Sequence, residues 1–345
     1  GSEMCIRDRF ISMAYILFVN PTVLGASGMD EGAVFTATAL ASAIGCILMG
    51  VLARYPIGTA PALGINAFFA YSVCLGMGIP WETALAGVFV ASLIFILITI
   101  FKLREMIIDA IPADLKYAIS GGIGLFIAFL GLSEGGIIVS NESTLVGLGS
   151  LNVGSTWLTI FGLVVTAILL VRRVPGGIFI GMAATTILGL VTGLIPMPSE
   201  IVAAAPSLKP TFLVALKHVG DINSLQMWVV VLTFLLVTFF DTAGTLVGLA
   251  NQAGFMKDNK MPRVGKALAS DSTAMLAGSL LGTSPVGAFV ESSAGIAVGG
   301  RSGITAITTG IFFLLGLFFS PLLSVVTSQV TACLLYTSPS PRDCS

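Results

Sequence analysis

The feature that most constrains this chain is a series of long apolar runs along its length. Stretches such as Ala33–Ala53, Ala84–Phe101 and Trp228–Ala250 carry almost no charge. Several approach the ~20 residues that cross the hydrocarbon core of a bilayer. The sequence is 56% hydrophobic and only 10% charged, whereas about a quarter of the residues of a soluble domain are charged. The sequence therefore predicts an all-α polytopic membrane protein whose solvent is lipid.

Hydropathy and turn residues together predict about eleven membrane spans. Two of them, Gly58–Gly76 and Ser284–Gly299, contain proline and several glycines. We expect each of these two to start as a short extended segment and to continue as a helix. The remaining predicted spans are Phe10–Leu24, Ala33–Ala53, Ala84–Phe101, Ala118–Leu132, Trp157–Val171, Gly177–Leu194, Trp228–Ala250, Ala267–Gly282 and Ile304–Val325.

The basic residues show which side of the membrane each connection faces. Between residues 10 and 332, only Lys209 and Lys217 fall in the long connection between the seventh and eighth spans. The other eleven lie in or beside every second connection, which by the positive-inside rule is cytoplasmic. These residues are Arg54, Lys102, Arg104, Lys116, Arg172, Arg173, Lys257, Lys260, Arg263, Lys266 and Arg301.

The two ends of the sequence look foreign to the rest of the chain. A DNA segment that would encode Cys333–Ser340 also encodes Ser2–Arg7 when it is read in reverse complement. One DNA element in two orientations therefore accounts for both ends, and it resembles a transposon-type sequencing adapter. We expect residues 1–9 and 333–345 to be adapter-like tails and set them aside from fold reasoning.

Two distant parts of the chain share a pattern. Gly58-Thr59-Ala60-Pro61 leads to Asn66, and Gly282-Thr283-Ser284-Pro285 leads to Glu291. The offsets are 224 residues between the glycines and 225 between the polar side chains. Asn20 and Asp241, each after an aromatic-rich run, are 221 residues apart. With about seven spans in each copy, the second copy is inverted in the membrane, which is how many secondary transporters build their binding site.

Three polar residues of these segments, Asn66, Asp241 and Glu291, are the centre of the candidate site. Backbone groups of the extended pieces need partners in lipid, so we expect the two pieces to pair as short strands at the membrane midplane. Asn66 and Glu291 then lie near the N-termini of the following helices, whose N–H groups are free. Asp241 and Glu291 should lie inside the bilayer, where a carboxylate costs at least ~2.5 kcal/mol and marks a functional site by default. Asp271, near a span end, equally fits a helix-terminal role.

Several motifs resemble those of one transporter family. They are Ala14-Tyr15-Ile16-Leu17-Phe18-Val19-Asn20-Pro21, Ala62-Leu63-Gly64-Ile65-Asn66-Ala67-Phe68-Phe69, Phe240-Asp241-Thr242-Ala243-Gly244-Thr245-Leu246, Gly282-Thr283-Ser284 with Glu291-Ser292-Ser293-Ala294-Gly295, and Gly299-Gly300-Arg301-Ser302-Gly303. In order and spacing they resemble the AzgA-like branch of the nucleobase–cation symporters, the adenine/guanine/hypoxanthine permeases. The resemblance covers residues 10–332.

The resemblance implies a UraA-like fold of about fourteen spans, formed by two inverted seven-span repeats and divided into a core and a gate domain. It also implies that the last three gate spans are absent here, so that the chain alone should not transport. The expected segments are a foreign tail at 1–9, the first core repeat at 10–103, the first gate repeat at 104–195, an outer interfacial connection at 196–226, the second core repeat at 227–325, the start of the second gate at 326–332, and a foreign tail at 333–345.

The function implied by the resemblance is import of purine nucleobases by proton symport with alternating access, at the inner membrane of a bacterium. By analogy, Asn66, Asp241 and Glu291 bind the substrate. The expected binding set also includes Gly64, Thr245, Ser284 and Phe289, of which Phe289 could stack on a flat ring. A carboxyl group removed from water binds a proton more readily, so Asp241 and Glu291 are the predicted proton-coupling residues.

The predicted partners are a purine and the lipid bilayer. No metal, cofactor or nucleic acid is expected, because the proton gradient is the driving force and no basic patch is present. A homodimer is left open. Two other functions also stay open, namely a uracil or xanthine permease of the same fold and a non-transporting membrane sensor. An intramembrane aspartic protease is disfavoured, because Ala243 interrupts the Asp-Thr-Gly motif after Asp241.

Overall fold

The computed structural model describes residues 13–101, 131–141, 145–150, 152–172, 177–197, 200–255, 261–297 and 300–327, with a few single positions between them. The adapter-like tails predicted at 1–9 and 333–345 lie outside these residues. Most of the predicted span Ala118–Leu132 does so as well. The described part of the chain is mostly helical.

The helices in chain order are α1 (Ile16–Gly25), α2 (Glu31–Leu48), α3 (Leu63–Ala67), α4 (Trp81–Ile100), α5 (Gly154–Val171), α6 (Gly177–Val191), α7 (Val214–Lys217), α8 (Leu225–Gln252), α9 (Val264–Leu281), α10 (Ser292–Ala297) and α11 (Gly303–Gly316). The π-helical segments Met49–Ala53 and Phe68–Gly76 continue α2 and α3, and a 3₁₀ segment, Leu317–Val325, continues α11. The strands are β1 (Thr59–Pro61), β2 (Ile138–Asn141), β3 (Leu145–Leu148) and β4 (Val286–Ala288).

Five of the described helical segments are long and apolar enough to cross a membrane. They are Glu31–Ala53, Trp81–Ile100, Gly154–Val171, Leu225–Gln252 and Gly303–Leu323. Ile16–Gly25, Leu63–Gly76 and Gly177–Val191 are shorter apolar helices. A multi-pass membrane protein is therefore confirmed, while the total of about eleven spans stays a prediction.

The ends of the long helices follow from local side-chain chemistry. The Asp30 carboxylate caps α2 by accepting the Ala33 N–H at 2.7 Å, and the Ser224 hydroxyl caps α8 by accepting the Met227 N–H at 3.1 Å. Gly282 ends α9 with φ of 99°, a left-handed conformation that glycine adopts without a Cβ penalty. A Cβ at this position would also collide with Thr211.

Helix α9 lies at the centre of the described helices and packs against both α2 and α4. Helix α8 packs on α4, and α11 packs on α2. The approach of α2 to α9 is close, because a Cβ on Gly45 would come within 2.7 Å of the Ala274 Cβ. Helices α5 and α6 pack on each other. This arrangement surrounds β1 and β4 with helices and removes their edges from lipid.

One part of the fold differs from the prediction. We expected only the two short strands beside the broken spans, but β2 and β3 form a second antiparallel pair, with Ile138 opposite Leu148 and Asn141 opposite Leu145. These residues lie between spans and include Ile138, Val139 and Val146, whose branched side chains favour extended backbone. The expectation missed this pair because it considered only the segments interrupted by glycine and proline.

Candidate functional site

The site is built on the pair of strands formed by β1 and β4. They run antiparallel with Thr59 opposite Ala288, Ala60 opposite Gly287 and Pro61 opposite Val286. The Phe289 N–H extends the ladder by donating to the Gly58 carbonyl at 3.0 Å. All six strand residues are buried, so each strand satisfies backbone groups that lipid would leave unpaired. The predicted pairing of the two extended pieces is confirmed.

A buried network of polar side chains lies beside the strands. Its centre is Asn20, whose Nδ2 donates to the Thr38 hydroxyl at 2.7 Å and to the Thr283 hydroxyl at 2.8 Å. The Asn20 Oδ1 accepts from Asn66 Nδ2 at 2.6 Å, and it lies 3.3 Å from the Ser284 hydroxyl, whose single proton is closer to Asn66 Oδ1. All five residues are completely buried. The network thus joins α1, α2, α3 and the segment that precedes β4.

Asn66 and Ser284, two of the predicted substrate ligands, therefore contact each other. The Ser284 hydroxyl donates to the Asn66 Oδ1 at 2.5 Å. These described bonds use one of the two N–H groups of Asn66 and one lone pair of its oxygen, which leaves one donor and one acceptor position. Gly64, another predicted ligand, lies partly buried in α3, two residues before Asn66.

Glu291 lies between β4 and α10 and is partly buried. Its Oε1 accepts a hydrogen bond from the Tyr15 hydroxyl at 2.5 Å. The Tyr15 ring lies 6.1 Å from the buried ring of Phe289, measured between centroids, and the two planes are tilted by 39°. Next to Glu291, the Ser292 hydroxyl accepts the Gly58 N–H at 2.9 Å. A carboxyl group, a phenol and an aromatic ring thus lie together at the end of the strand pair.

Helix α8 supplies the other predicted acid. Asp241 is partly buried, and the fully buried Thr242 donates its hydroxyl to Asp271 Oδ2 at 2.7 Å. One turn further along, Thr245 is 4% exposed, and its hydroxyl has no hydrogen-bond partner among the described residues. Asp241 and Thr245 therefore place a carboxyl and a hydroxyl one helical turn apart.

Asp271 lies further from the end of its helix than the sequence predicted. It was expected near the end of its span, but α9 begins at Val264, so Asp271 lies two turns inside the helix and is completely buried. A helix-terminal role is therefore wrong. Its Oδ1 has no hydrogen-bond partner among the described residues. β4 passes close by, because a Cβ on Gly287 would lie 3.2 Å from the Thr242 hydroxyl and 4.0 Å from Asp271 Oδ1.

The three acids lie on elements that adjoin the strand pair. Asp241 precedes Thr242, which donates to Asp271, and Glu291 follows β4. Within the described ranges, no lysine, arginine or histidine forms an ion pair with any of the three, and the ion pair seen there joins His218 to Asp221. Nor do described His, Cys, Asp and Glu side chains form a group of three or more that could hold a metal ion. The site therefore offers carboxyl, amide and hydroxyl groups without a fixed cation.

The sequence missed three contributors to this site. Tyr15 and Asn20 belong to quoted motifs, but only the structure shows that Tyr15 contacts Glu291 and that Asn20 joins both halves of the chain. Thr38 belongs to the same network. The detectable signal was the unusual polar residue in an apolar run, which Asn20 and Thr38 both are.

Paired short strands among apolar helices, beside carboxyl groups that no described cation neutralises, are typical of membrane transport proteins. The fold matches the transmembrane domain of a cyanobacterial bicarbonate transporter, BicA. The match has a TM-score of 0.71 and covers 98% of this chain and 87% of that one. The two sequences are 14% identical, so this likeness concerns the fold alone.

The chain belongs to the Permease family, whose Xan_ur_permease model matches residues 8–338. It is 58% identical to the guanine/hypoxanthine permease PbuG of Bacillus subtilis, over 94% of this chain and 76% of that protein. It is 41% identical to the adenine permease AdeP of Escherichia coli, over 94% of this chain and 72% of that protein. The chain is thus a multi-pass inner-membrane permease and not an enzyme.

Proposed function

We propose that this permease imports purine nucleobases, with hypoxanthine, guanine and adenine as the substrate class, by proton symport with alternating access. Support comes from its relatives, which are named as guanine/hypoxanthine and adenine permeases. The observation that carries the proposal for this chain is the carboxyl of Glu291 beside the paired strands, held by Tyr15 and next to Phe289.

The chemistry of a purine fits these groups. A purine is flat and carries both donors and acceptors on its edges. A carboxylate can accept two N–H groups, and an asparagine amide can both donate and accept. In the proposal, Glu291 accepts purine N–H groups, Asn66 offers its remaining donor and acceptor, and Phe289 lies against the ring face. Gly64, Ser284 and Thr245 complete the binding set.

Proton coupling is proposed for Asp241 together with Glu291. Both carboxyl groups lie in predicted membrane-spanning segments, and no described lysine, arginine or histidine forms an ion pair with either. Binding a proton with the substrate would remove the cost of carrying a charge through a low-dielectric path. We assign Glu291 as the principal purine ligand and Asp241 as the proton-coupled partner. The proton gradient then drives transport without a cofactor.

The proposed architecture is the inverted-repeat fold with about fourteen spans in the complete transporter. The pairing of β1 with β4, 229 positions apart between Thr59 and Ala288, supports two related halves. In this proposal residues 10–103 and 227–325 form the core, 104–195 form the first gate, 196–226 form an outer connection, and 326–332 start the second gate. Movement of the core against the gate exposes the site to each side in turn.

The test is uptake of labelled hypoxanthine in purine-uptake-deficient bacteria. Two proteins are expressed. One is the chain alone, and the other is the chain joined at its C-terminal side to the corresponding remainder of the Bacillus subtilis relative. We expect the joined protein to take up hypoxanthine. Adenine and guanine should compete with this uptake, and a protonophore should abolish it. Competition by uracil or xanthine alone would indicate a uracil or xanthine permease instead. No uptake, with the protein present in the membrane, would favour the sensor.

The ligand assignment has its own variants. Glu291→Gln should lower hypoxanthine affinity at least tenfold, because an amide nitrogen replaces one acceptor oxygen with a donor. Glu134→Gln, a change of the same kind outside the proposed site, is the matched control. Undiminished hypoxanthine affinity in Glu291→Gln would refute the role of Glu291.

The mass of the purified protein in detergent distinguishes a monomer from the homodimer that the sequence left open.

A further inference from the structure

A cleft of about 480 Å³ lies outside the proposed purine site, where the π-helical end of α2 meets the start of α11. Its lining includes the polar residues Arg54, Arg263 and Ser302 and the apolar residues Val51, Ile304 and Ile307. None of these residues belongs to the polar network or to the group of three acids. The cleft thus combines cationic and apolar walls.

Both arginines have an unusual backbone conformation, and Arg263 also has an aromatic neighbour. Arg54 and Arg263 have φ of 56° and 57°, a left-handed conformation that is uncommon for residues other than glycine. The Arg263 guanidinium lies 5.2 Å from the centre of the Tyr55 ring. The Tyr55 hydroxyl in turn donates to the Pro262 carbonyl. Burial raises the pKa of the Tyr55 phenol, with Arg263 opposing the rise, so this donor stays protonated at neutral pH.

The floor of the cleft is closed by backbone packing. A Cβ on Gly50 would lie 2.5 Å from the Gly303 carbonyl oxygen and 2.6 Å from Ile307 Cγ1. The end of α2 and the start of α11 therefore meet almost backbone to backbone. This contact brings together the two elements that carry Val51 and Arg54 on one side and Ile304 and Ile307 on the other.

The apolar wall is exposed. Val51 is 56% exposed and Ile304 is 67% exposed, and both are adjacent to the arginines in the cleft. Arg54 and Arg263 also belong to the basic set that the positive-inside rule places on the cytoplasmic side. The cytoplasmic leaflet carries the anionic lipids, and basic pockets between membrane helices on that side bind their headgroups.

We propose that this cleft binds an anionic phospholipid such as phosphatidylglycerol, with its phosphate beside Arg54 and Arg263 and its acyl chains against Val51, Ile304 and Ile307. A free phosphate could use the arginines but would leave the apolar wall uncovered. A zwitterionic lipid would cover that wall but carries no net charge for two guanidinium groups. Only an anionic lipid satisfies both walls together.

The test measures lipid binding to the purified chain by native mass spectrometry, with phosphatidylglycerol and phosphatidylcholine of the same acyl chains. We expect selective binding of phosphatidylglycerol. A basic residue near the membrane surface contributes about fivefold in affinity, so Arg54→Gln with Arg263→Gln should weaken binding about 30-fold. Arg54→Lys with Arg263→Lys should retain most of it, and Arg172→Gln, an exposed arginine elsewhere on the cytoplasmic side, should change it little.

Three results would overturn the proposal. They are equal binding of the two lipids, unchanged phosphatidylglycerol binding in the double glutamine variant, and equally effective competition by soluble glycerol phosphate, which would indicate a small-anion site. Circular dichroism and elution volume establish that each variant is folded. Both arginines are exposed, so their replacement leaves the core packing intact.

Discussion

Asn20 is predicted to stabilise the fold more than Asn66, although only Asn66 was expected to be a site residue. Asn20→Leu preserves side-chain size but removes three described hydrogen bonds and a longer contact at 3.3 Å with the Ser284 hydroxyl. Thr38 and Thr283 could still bond each other across 3.3 Å, and Ser284 keeps Asn66 at 2.5 Å. The Asn66 N–H that donated to Asn20 is the group left unsatisfied.

The magnitude follows from this inventory. An unsatisfied buried donor costs about 1–3 kcal/mol, and hydrogen bonds between membrane helices average about 0.6 kcal/mol each. Loss of the two bonds to Thr38 and Thr283 then brings the cost of Asn20→Leu to about 2–4 kcal/mol. Asn66→Leu removes two bonds, but Ser284 keeps Asn20 as an acceptor. Its cost should be about 1–2 kcal/mol.

The assay is the free energy of unfolding, from titration of the detergent-solubilised chain with a denaturing detergent and detection by circular dichroism. Asn251→Leu, an exposed position at the end of α8, is the matched control and should stay within about 0.5 kcal/mol of the parent. Equal costs for Asn20→Leu and Asn66→Leu, or a control as damaging as Asn20→Leu, would refute the reasoning.

Three further predictions concern single contacts. Tyr15→Phe removes the hydrogen bond to Glu291 and should lower purine affinity about tenfold in a radioligand binding assay; unchanged affinity would contradict it. Thr242→Val leaves Asp271 without its described donor and should cost about 1.5–3 kcal/mol in the same unfolding titration, with recovery in Thr242→Ser. Gly282→Ala combines a left-handed φ with a collision against Thr211. It should therefore lower the melting temperature more than Gly254→Ala, where φ is 71° and the space is open. Equal decreases in melting temperature would show that the collision with Thr211 does not destabilise the fold.

The strand pair was predictable because its sequence signal is local. Glycine and proline interrupt two apolar runs, and the hydrocarbon environment requires their backbone groups to find partners. The same offset that relates Gly58 to Gly282 also indicated which two segments pair. Chemistry at short range and a repeated spacing were together sufficient for this part of the fold.

The side-chain arrangement was less predictable because it depends on how helices rotate against one another. Asn66 and Ser284 were expected to face the substrate, which stays a prediction, and the structure shows that they bond each other and that Asn66 bonds Asn20. The depth of Asp271 depended on whether α9 begins at Val264 or at Ala267, and three residues change a terminal position into an interior one. Hydropathy does not determine a boundary to that accuracy.

The pairing of β1 with β4 also has a consequence for biosynthesis. Thr59 enters the membrane 229 positions ahead of its partner Ala288. At about 5–20 residues per second, β1 waits roughly 11 to 46 s for the strand that completes it. During that interval the backbone groups of β1 lack their strand partner, and the Cys46 thiol, which accepts the Thr59 N–H at 3.3 Å, satisfies one of them. The remaining groups need other partners in the membrane until the second half of the chain is made.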